Sequence, residues 1–355
     1  MSHIIKVAVV GAGIGQQHVG AYAALPDLFE VAYVCDLDKA RAEEAAKIAP
    51  GCRAVTELSD VLADPAVELV NVCLPPQLHF WASEAVLKAG KHVICEKPMT
   101  GSLAEAERLR ALSQSSGKLV IPVFQYRYGR GYRLIHALRE QDLLGKAYSL
   151  SIETHWQRGA DYYSVPWRGT WKGEMGGAVV SHACHAHNLA THLLGPVVEV
   201  STLMDTRVNP IETEDCAAIS MRTEQGALVT SSITLGAAGN SSRFRACFEH
   251  VTATSGALPY HIGAGDWTFE ATRPDAQEAL EGILAQVADI RPRFEGQFTD
   301  VHQRLVEGTD LYLPTLEEGV HSIELITAIY ASARTGQSVR LPLPADSPLL
   351  DGWMP

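Results

Sequence analysis

The first third of the chain alternates two textures. Ile5–Val10, Val31–Cys35, Leu69–Leu74, His92–Cys95 and Leu119–Phe124 are short, nearly continuous apolar runs rich in β-branched residues. Strands buried on both faces of a parallel sheet have this pattern. Between them, Gln16–Leu25, Lys39–Ile48, Phe80–Ala89 and Leu103–Ser115 carry apolar residues at helical spacing, with Gly90 and Gly117 as stop signals. Strand and helix in alternation predict an α/β Rossmann domain, a doubly wound parallel sheet, over residues 1–124. Beyond residue 125 the runs lengthen and alternate apolar with polar positions: Ala147–Glu153, Val198–Met204, Ala217–Met221, Ala227–Leu235, Phe244–Thr252 and Trp267–Glu270. Helices are expected at Tyr132–Gln141, after Gly176-Gly177 and at Leu316–Arg334. Residues 125–355 are therefore expected to form an α+β domain with a large open, mainly antiparallel sheet. Its free face suits a homo-oligomer contact.

Composition narrows the classes of partner. The 355 residues are 46% apolar and 20% charged, as in a globular protein of two domains. A net charge of −12 without a basic run argues against nucleic acid and anionic membrane surfaces. No apolar stretch reaches the length of a membrane span, and Ile4–Val10 runs into glycines rather than a cleavage site. Seven scattered cysteines, never spaced C-x-x-C, predict reduced thiols in a cytoplasmic protein.

Chemistry enters at three places. Gly11-Ala12-Gly13-Ile14-Gly15 follows the first strand and opens a helix, where backbone amides and the helix N-terminus can approach a pyrophosphate. Asp36 ends the second strand about 20 residues on, the register of an acid that binds the ribose 2′-hydroxyl of NAD and repels the 2′-phosphate of NADP. Glu96-Lys97-Pro98 closes the fifth strand at its carboxyl end, the ligand edge of such a sheet. The lysine there is either a proton-handling or hydrogen-bonding group in a cleft or an ordinary solvated side chain. The third place is a run of four histidines, His182, His185, His187 and His192. On one continuous helix, Ser181, His182, His185, Asn188 and His192 share a side, and His187 falls about 160° from His185. No metal is expected, because no carboxylate or thiolate shares that stripe at ligand spacing and H-E-x-x-H is absent.

These pieces in this order resemble the glucose-fructose oxidoreductase / inositol dehydrogenase (Gfo/Idh/MocA) family. The matching segments are the glycine turn with His18 following, Cys73-Leu74-Pro75-Pro76-Gln77-Leu78-His79, Glu96-Lys97-Pro98, Gly176-Gly177 with His185, and Gly296-Gln297-Phe298 through Ala331-Ser332-Ala333-Arg334-Thr335-Gly336. The resemblance implies an NAD-dependent dehydrogenase of a secondary alcohol on a sugar, sugar derivative or cyclitol. Its cofactor-binding residues would be Gly11, Gly13, Ile14, Gly15, Asp36, Leu74, Pro75, His79, Glu96 and Lys97. Lys97 would sit near the reacting hydroxyl, across a cis Lys97–Pro98 bond, and His185 would take the hydroxyl proton in the same cleft. Many members carry Asp where this chain has Ser181 and Asn188, which leaves His182 as a rival base. Trp167 and Arg168, in a Trp-Arg-Gly segment shared with relatives acting on sugar nucleotides, would join Lys97, Ser181, His182 and Asn188 on the substrate. Two other readings stay open within the resemblance: an NAD-requiring glycosidase that oxidises its sugar transiently, and a non-catalytic dinucleotide-binding regulator.

Overall fold

The apolar runs of the first 124 residues become the strands of one sheet in the computed structural model, which describes residues 3–286, 291–309 and 312–355. Strands β1 (Ile5–Val10), β2 (Phe29–Cys35), β3 (Arg53–Val55), β4 (Leu69–Val72), β5 (His92–Cys95) and β6 (Val120–Pro122) lie in the order β3-β2-β1-β4-β5-β6. Every pairing is parallel. Both faces are covered, so Val7, Leu69, Val70 and Ile94 are fully buried. The chain order reverses between β1 and β4, and the crevice at their carboxyl ends is where doubly wound sheets take ligands. The sequence pattern omitted β3 and the helix Leu58–Ala63 that follows it. A three-residue edge strand with an exposed arginine has too little apolar periodicity to register.

Two compact units divide the chain: Met1–Phe124 with Phe294–Ile323, and Gln125–Arg293 with Glu324–Pro355. The expectation of one continuous second domain over 125–355 is thus corrected, because residues 294–323 return to the first unit. The cause is an aromatic stripe on the helix Arg293–Glu307. Phe294, Phe298 and Val301 recur at helical spacing and join the core of the first unit. Phe298 stacks on Tyr22 with ring centroids 4.0 Å apart, and Phe294 lies 4.2 Å from the His18 ring. Gln297 adds polar ties to the end of β6: its Oε1 accepts from the Phe124 N–H at 3.2 Å, and its Nε2 donates to the Pro122 carbonyl at 2.8 Å.

The second unit is built on strands β7 (Ala147–Gln157), β8 (Val197–Asp205), β9 (Cys216–Thr223), β10 (Leu228–Thr234), β11 (Gly236–Phe248), β12 (Val251–Thr254), β13 (Thr268–Ala271) and β14 (Val339–Arg340). Their order is β13-β12-β11-β7-β10-β9-β8-β14. Only the β7–β10 pairing is parallel among those described. Burial alternates along β9 and β10: Ala217, Ile219, Met221, Val229 and Ile233 face the core, while Leu203 on β8 and Leu228 on β10 stand on open surface. The run expected as one strand at Phe244–Thr252 is a hairpin, with β11 and β12 turning at Glu249-His250. Helices Cys184–Leu194 and Leu316–Thr335 supply Ala186, Leu189, Leu193, Leu325, Ala328 and Ile329 to the core beneath the sheet. Among the described residues no helix is long and apolar enough to cross a membrane.

Candidate functional site

In the first unit the candidate residues gather where β1, β2, β4 and β5 end. Gly11 has φ +97°, and a Cβ on it would lie 2.4 Å from the Cys73 carbonyl oxygen. The turn therefore tolerates only glycine there. Gly13 is different, since nothing lies within 4 Å of where its Cβ would be. The helix Gly15–Ala23 has no side-chain cap and no acidic residue in its first turn. Open space over Gly13 and an uncompensated helix N-terminus fit a phosphate-bearing cofactor. Asp36 is nearly buried and well held: its Oδ2 accepts from the Ala12 N–H at 2.8 Å, and its Oδ1 from the Asp38 N–H at 2.9 Å and Arg41 Nη2 at 2.9 Å.

A buried polar chain supports the Glu96-Lys97-Pro98 turn. Asn71 Nδ2 donates to His18 Nδ1 at 2.9 Å, which makes that nitrogen the acceptor of the ring. His18 Nε2 then carries the proton and donates to Glu96 Oε1 at 3.0 Å, while Glu96 Oε2 accepts from the Lys97 N–H at 3.1 Å. Lys97–Pro98 is cis. His79 braces the same turn from behind, with Nδ1 2.6 Å from the Pro98 carbonyl oxygen and Nε2 2.7 Å from that of Leu74. Burial lowers its pKa, opposed by those two carbonyls. Both ring nitrogens of His79 thus face backbone carbonyls of the Leu74-Pro75 turn and the lysine turn, and in the neutral ring only the nitrogen that carries the proton donates.

In the second unit the histidine segment is not one uniform helix. Val179–Ala183 is a π-helical turn, and the α-helix proper is Cys184–Leu194. A π turn holds an extra residue, so positions before Cys184 are rotated from an even 100° count. The expected single stripe resolves into separate neighbourhoods. His185 stacks on Tyr126 at 4.4 Å with an interplanar angle of 16°. His182 meets Trp156 edge-on at 4.9 Å and tilts toward Tyr162 at 5.8 Å. Asn188 Oδ1 accepts from Arg127 Nε at 2.9 Å, and both residues are buried. His187 points to β10 and meets Ser231 Oγ at 2.9 Å; burial lowers its pKa to about 4. His192 meets the Tyr132 hydroxyl at 2.8 Å, and burial, with Arg127 next in weight, pushes its pKa down to about 2. Both are neutral structural imidazoles near pH 7.

Two carboxylates that the sequence reading did not single out shape this segment. Glu214 is fully buried and accepts from the Gly177 N–H at 3.0 Å, the Val179 N–H at 3.0 Å and the Tyr330 hydroxyl at 2.9 Å. Burial pushes its pKa up to about 7 against those donors. A Cβ on Gly177 would lie 1.8 Å from the Glu214 carbonyl oxygen, which explains the glycine. Glu174 accepts from the Gly169 N–H at 2.7 Å. Trp167 and Arg168 sit just upstream, with the Arg168 guanidinium 3.9 Å from the Tyr162 ring centre and 5.1 Å from that of Trp167.

Comparison with known proteins gives this geometry a family. The model of the oxidoreductase family with an NAD-binding Rossmann fold matches residues 5–124, and that of the GFO/IDH/MocA C-terminal domain matches residues 132–254. The chain belongs to the Gfo/Idh/MocA oxidoreductase family. An uncharacterized oxidoreductase of Schizosaccharomyces pombe is 32% identical over 61% of this chain and 59% of its own length. The scyllo-inositol 2-dehydrogenase (NADP(+)) of Bacillus subtilis is 24% identical over 95% of this chain and 96% of its own. The crystal structure of the WlbA dehydrogenase from Bordetella pertussis in complex with NADH and UDP-GlcNAcA is similar at 28% identity and a TM-score of 0.84, covering 96% of this chain and all of that one. The chain spans between 58% and 62% of the length of the first curated relatives it matches. At Ser181, where the resemblance sets an aspartate of many members, a carboxylate is only one hydroxyl away. Ser181 Oγ donates to Glu174 Oε1 at 2.8 Å. Glu174 lies in a short helix whose sequence has no periodic signal, so only the folded chain reveals the pair.

Proposed function

We propose that this protein is an NAD-dependent dehydrogenase that oxidises a secondary alcohol of a sugar, sugar derivative or cyclitol. The observation that carries the reading is the buried His18–Glu96 pair, which holds the Lys97 turn at the carboxyl end of β5, beside the switch point of the sheet. Gly11, Gly13, Ile14 and Gly15 would hold the pyrophosphate, Asp36 the ribose, and Leu74, Pro75 and Glu96 the wall toward the nicotinamide. When bound, NAD supplies the hydride acceptor.

The protein's own work is to handle the proton and the charge. His185 carries an imidazole, the type of side chain most often used to take a hydroxyl proton. Its stacking on Tyr126 fixes the ring plane. Lys97 donates a hydrogen bond to the oxygen as it becomes an alkoxide, stabilising charge where it develops. Tyr162 and Trp167 offer aromatic faces to a sugar ring, and Ser181, His182 and Arg168 offer polar contacts. Asn188 is held by Arg127 and acts in this reading as a positioning residue for the helix.

The test is NADH formation on a panel of myo-inositol, levoglucosan, UDP-GlcNAcA and simple hexoses. Lys97→Ala and His185→Ala should each lower turnover by about 10²–10⁴ with NAD affinity changed only a few-fold. An active His185→Ala beside an inactive His182→Ala would reassign the base, and failure of the whole panel to yield NADH would reject the dehydrogenase reading. Cofactor choice is a second test. Arg41 beside Asp36 is the cation that a 2′-phosphate would meet once the carboxylate is gone. Asp36→Ala should move the NAD to NADP affinity ratio at least tenfold toward NADP, about 1.4 kcal/mol; an unchanged ratio removes Asp36 from the ribose.

A further inference from the structure

The second unit contains a cavity of about 800 Å³ whose walls include Arg158, Asp161, Tyr162, Asn209, Leu235 and Tyr260. Tyr162 is shared ground. One side of its surroundings is this cavity, and its ring also approaches His182 at 5.8 Å. Two guanidinium groups lie over that single ring, Arg158 at 5.0 Å and Arg168 at 3.9 Å from its centre.

The partners of these two cations are all neutral. Arg158 donates to the Tyr260 hydroxyl at 2.6 Å, the Gln157 carbonyl at 2.7 Å and Asn240 Oδ1 at 3.3 Å. Its charge lies over Trp156 at 5.0 Å and Tyr260 at 5.5 Å as well. Arg168 stacks on Trp167 and Tyr162. Among the described residues, no carboxylate oxygen lies within 4.0 Å of either guanidinium. Glu174, the buried acid of this neighbourhood, is committed to the Gly169 N–H and Ser181 Oγ. Asp161, the acid on the cavity wall, is exposed and pairs with neither arginine. The Nε atoms of both arginines are buried without an acceptor. Elsewhere in this acidic chain even exposed arginines find carboxylates, as Arg41, Arg108 and Arg222 do. Two cations held in place by aromatic faces and left without a counter-ion are an arrangement that an arriving anion completes.

We propose that Arg158, Tyr162 and Arg168 form an anion subsite, and that the substrate is an acidic sugar whose carboxylate or phosphate group binds there. The subsite deepens the dehydrogenase reading and rests on it for the word substrate. Guanidinium groups suit either anion, because their planar forks match two acceptor oxygens at once.

The experiment measures binding to the NADH-loaded protein by calorimetry, using glucuronate, glucose 1-phosphate and glucose as probes. The expected result is at least tenfold tighter binding of one charged probe than of glucose, and the arm that binds tells carboxylate from phosphate. Arg158→Gln should remove at least tenfold of that preference while leaving glucose binding unchanged, and Arg168→Gln should remove at least tenfold of it whatever it costs the neutral sugar. Arg158→Lys, which keeps the charge and loses the fork, should fall between and guards against a folding defect in the glutamine variant. Equal binding of charged and neutral probes, no binding of either charged probe, or a preference that survives both glutamine variants overturns the subsite. If arginine-dependent binding is found but no probe reduces NAD, the subsite stands and the dehydrogenase reading falls. If neutral polyols are oxidised with no preference for charge, the opposite holds.

Discussion

Two glycine-rich turns lead into helices in this protein, and they use the same sequence feature in opposite ways. At Gly11–Gly15 the middle glycine opens onto empty space and the helix begins with no cap, so the positive end of its dipole is left for something outside the chain. At Gly176-Gly177 the glycines are crowded by Tyr330 and Glu214, and the Glu214 carboxylate occupies the N–H groups that open the next helical segment. One N-terminus is open to a ligand; the other is already filled by a side chain of the protein's own. Glycine spacing does not separate these cases. What separates them is whether a side chain from elsewhere in the chain fills the turn.

The largest effect should come from crowding the second turn. Gly177→Ala puts a Cβ into the Glu214 backbone, which is not a flexible side-chain end, and should destabilise the second unit by about 3 kcal/mol or more. A melting temperature like that of the parent would mean that the turn is not held as described. Next comes the charge in that turn. Because burial raises the Glu214 pKa to about 7 from an unfolded value of 4.5, its contribution to stability is full below pH 4.5 and is lost as pH rises toward 7. The loss is roughly 3 kcal/mol. Glu214→Gln keeps an acceptor for the N–H groups and cannot ionise, so its unfolding free energy should lack that decline between pH 4.5 and 7. Parallel pH profiles for variant and parent would show that Glu214 titrates normally. The smallest effect on folding belongs to the first turn. Gly13→Ala should leave stability unchanged or raise it by up to ~1 kcal/mol, since the alanine meets nothing. The same variant should weaken NAD binding at least tenfold, and unimpaired binding would break the contrast between the two turns.

The Rossmann unit was legible because its site is made by local backbone events. Strand, tight turn and helix follow one another along the chain, and Asp36 and Glu96 stand at strand ends that their own runs announce. The strands His92–Cys95 and Ile5–Val10 match their predicted bounds for the same reason. The histidine segment was legible only as composition. Its register depends on a π turn that no residue pattern marks, and its acids come from Glu174 and Glu214, which lie outside the segment. Asn188 was expected on the substrate from its place beside His185, and what the pattern could not show is that Arg127, from another segment, donates to its Oδ1. Residues 294–307 escaped because an amphipathic helix shows that it has a buried face, and not which core that face belongs to.

The Gln297 side chain carries a consequence for how the molecule is made. β6 is the last strand of its sheet, and an open strand edge is a template for pairing with a stranger. Gln297 offers Phe124 and Pro122 an amide oxygen and an amide nitrogen, the same two groups a neighbouring strand would present. During synthesis, however, residues 1–124 leave the ribosome long before Gln297 and Phe298 exist. The nascent first unit therefore emerges with a raw edge at β6 and the Tyr22 ring uncovered. It must wait for β7 to β13, all but the last strand of the second unit's sheet, to be made before its own last pieces arrive.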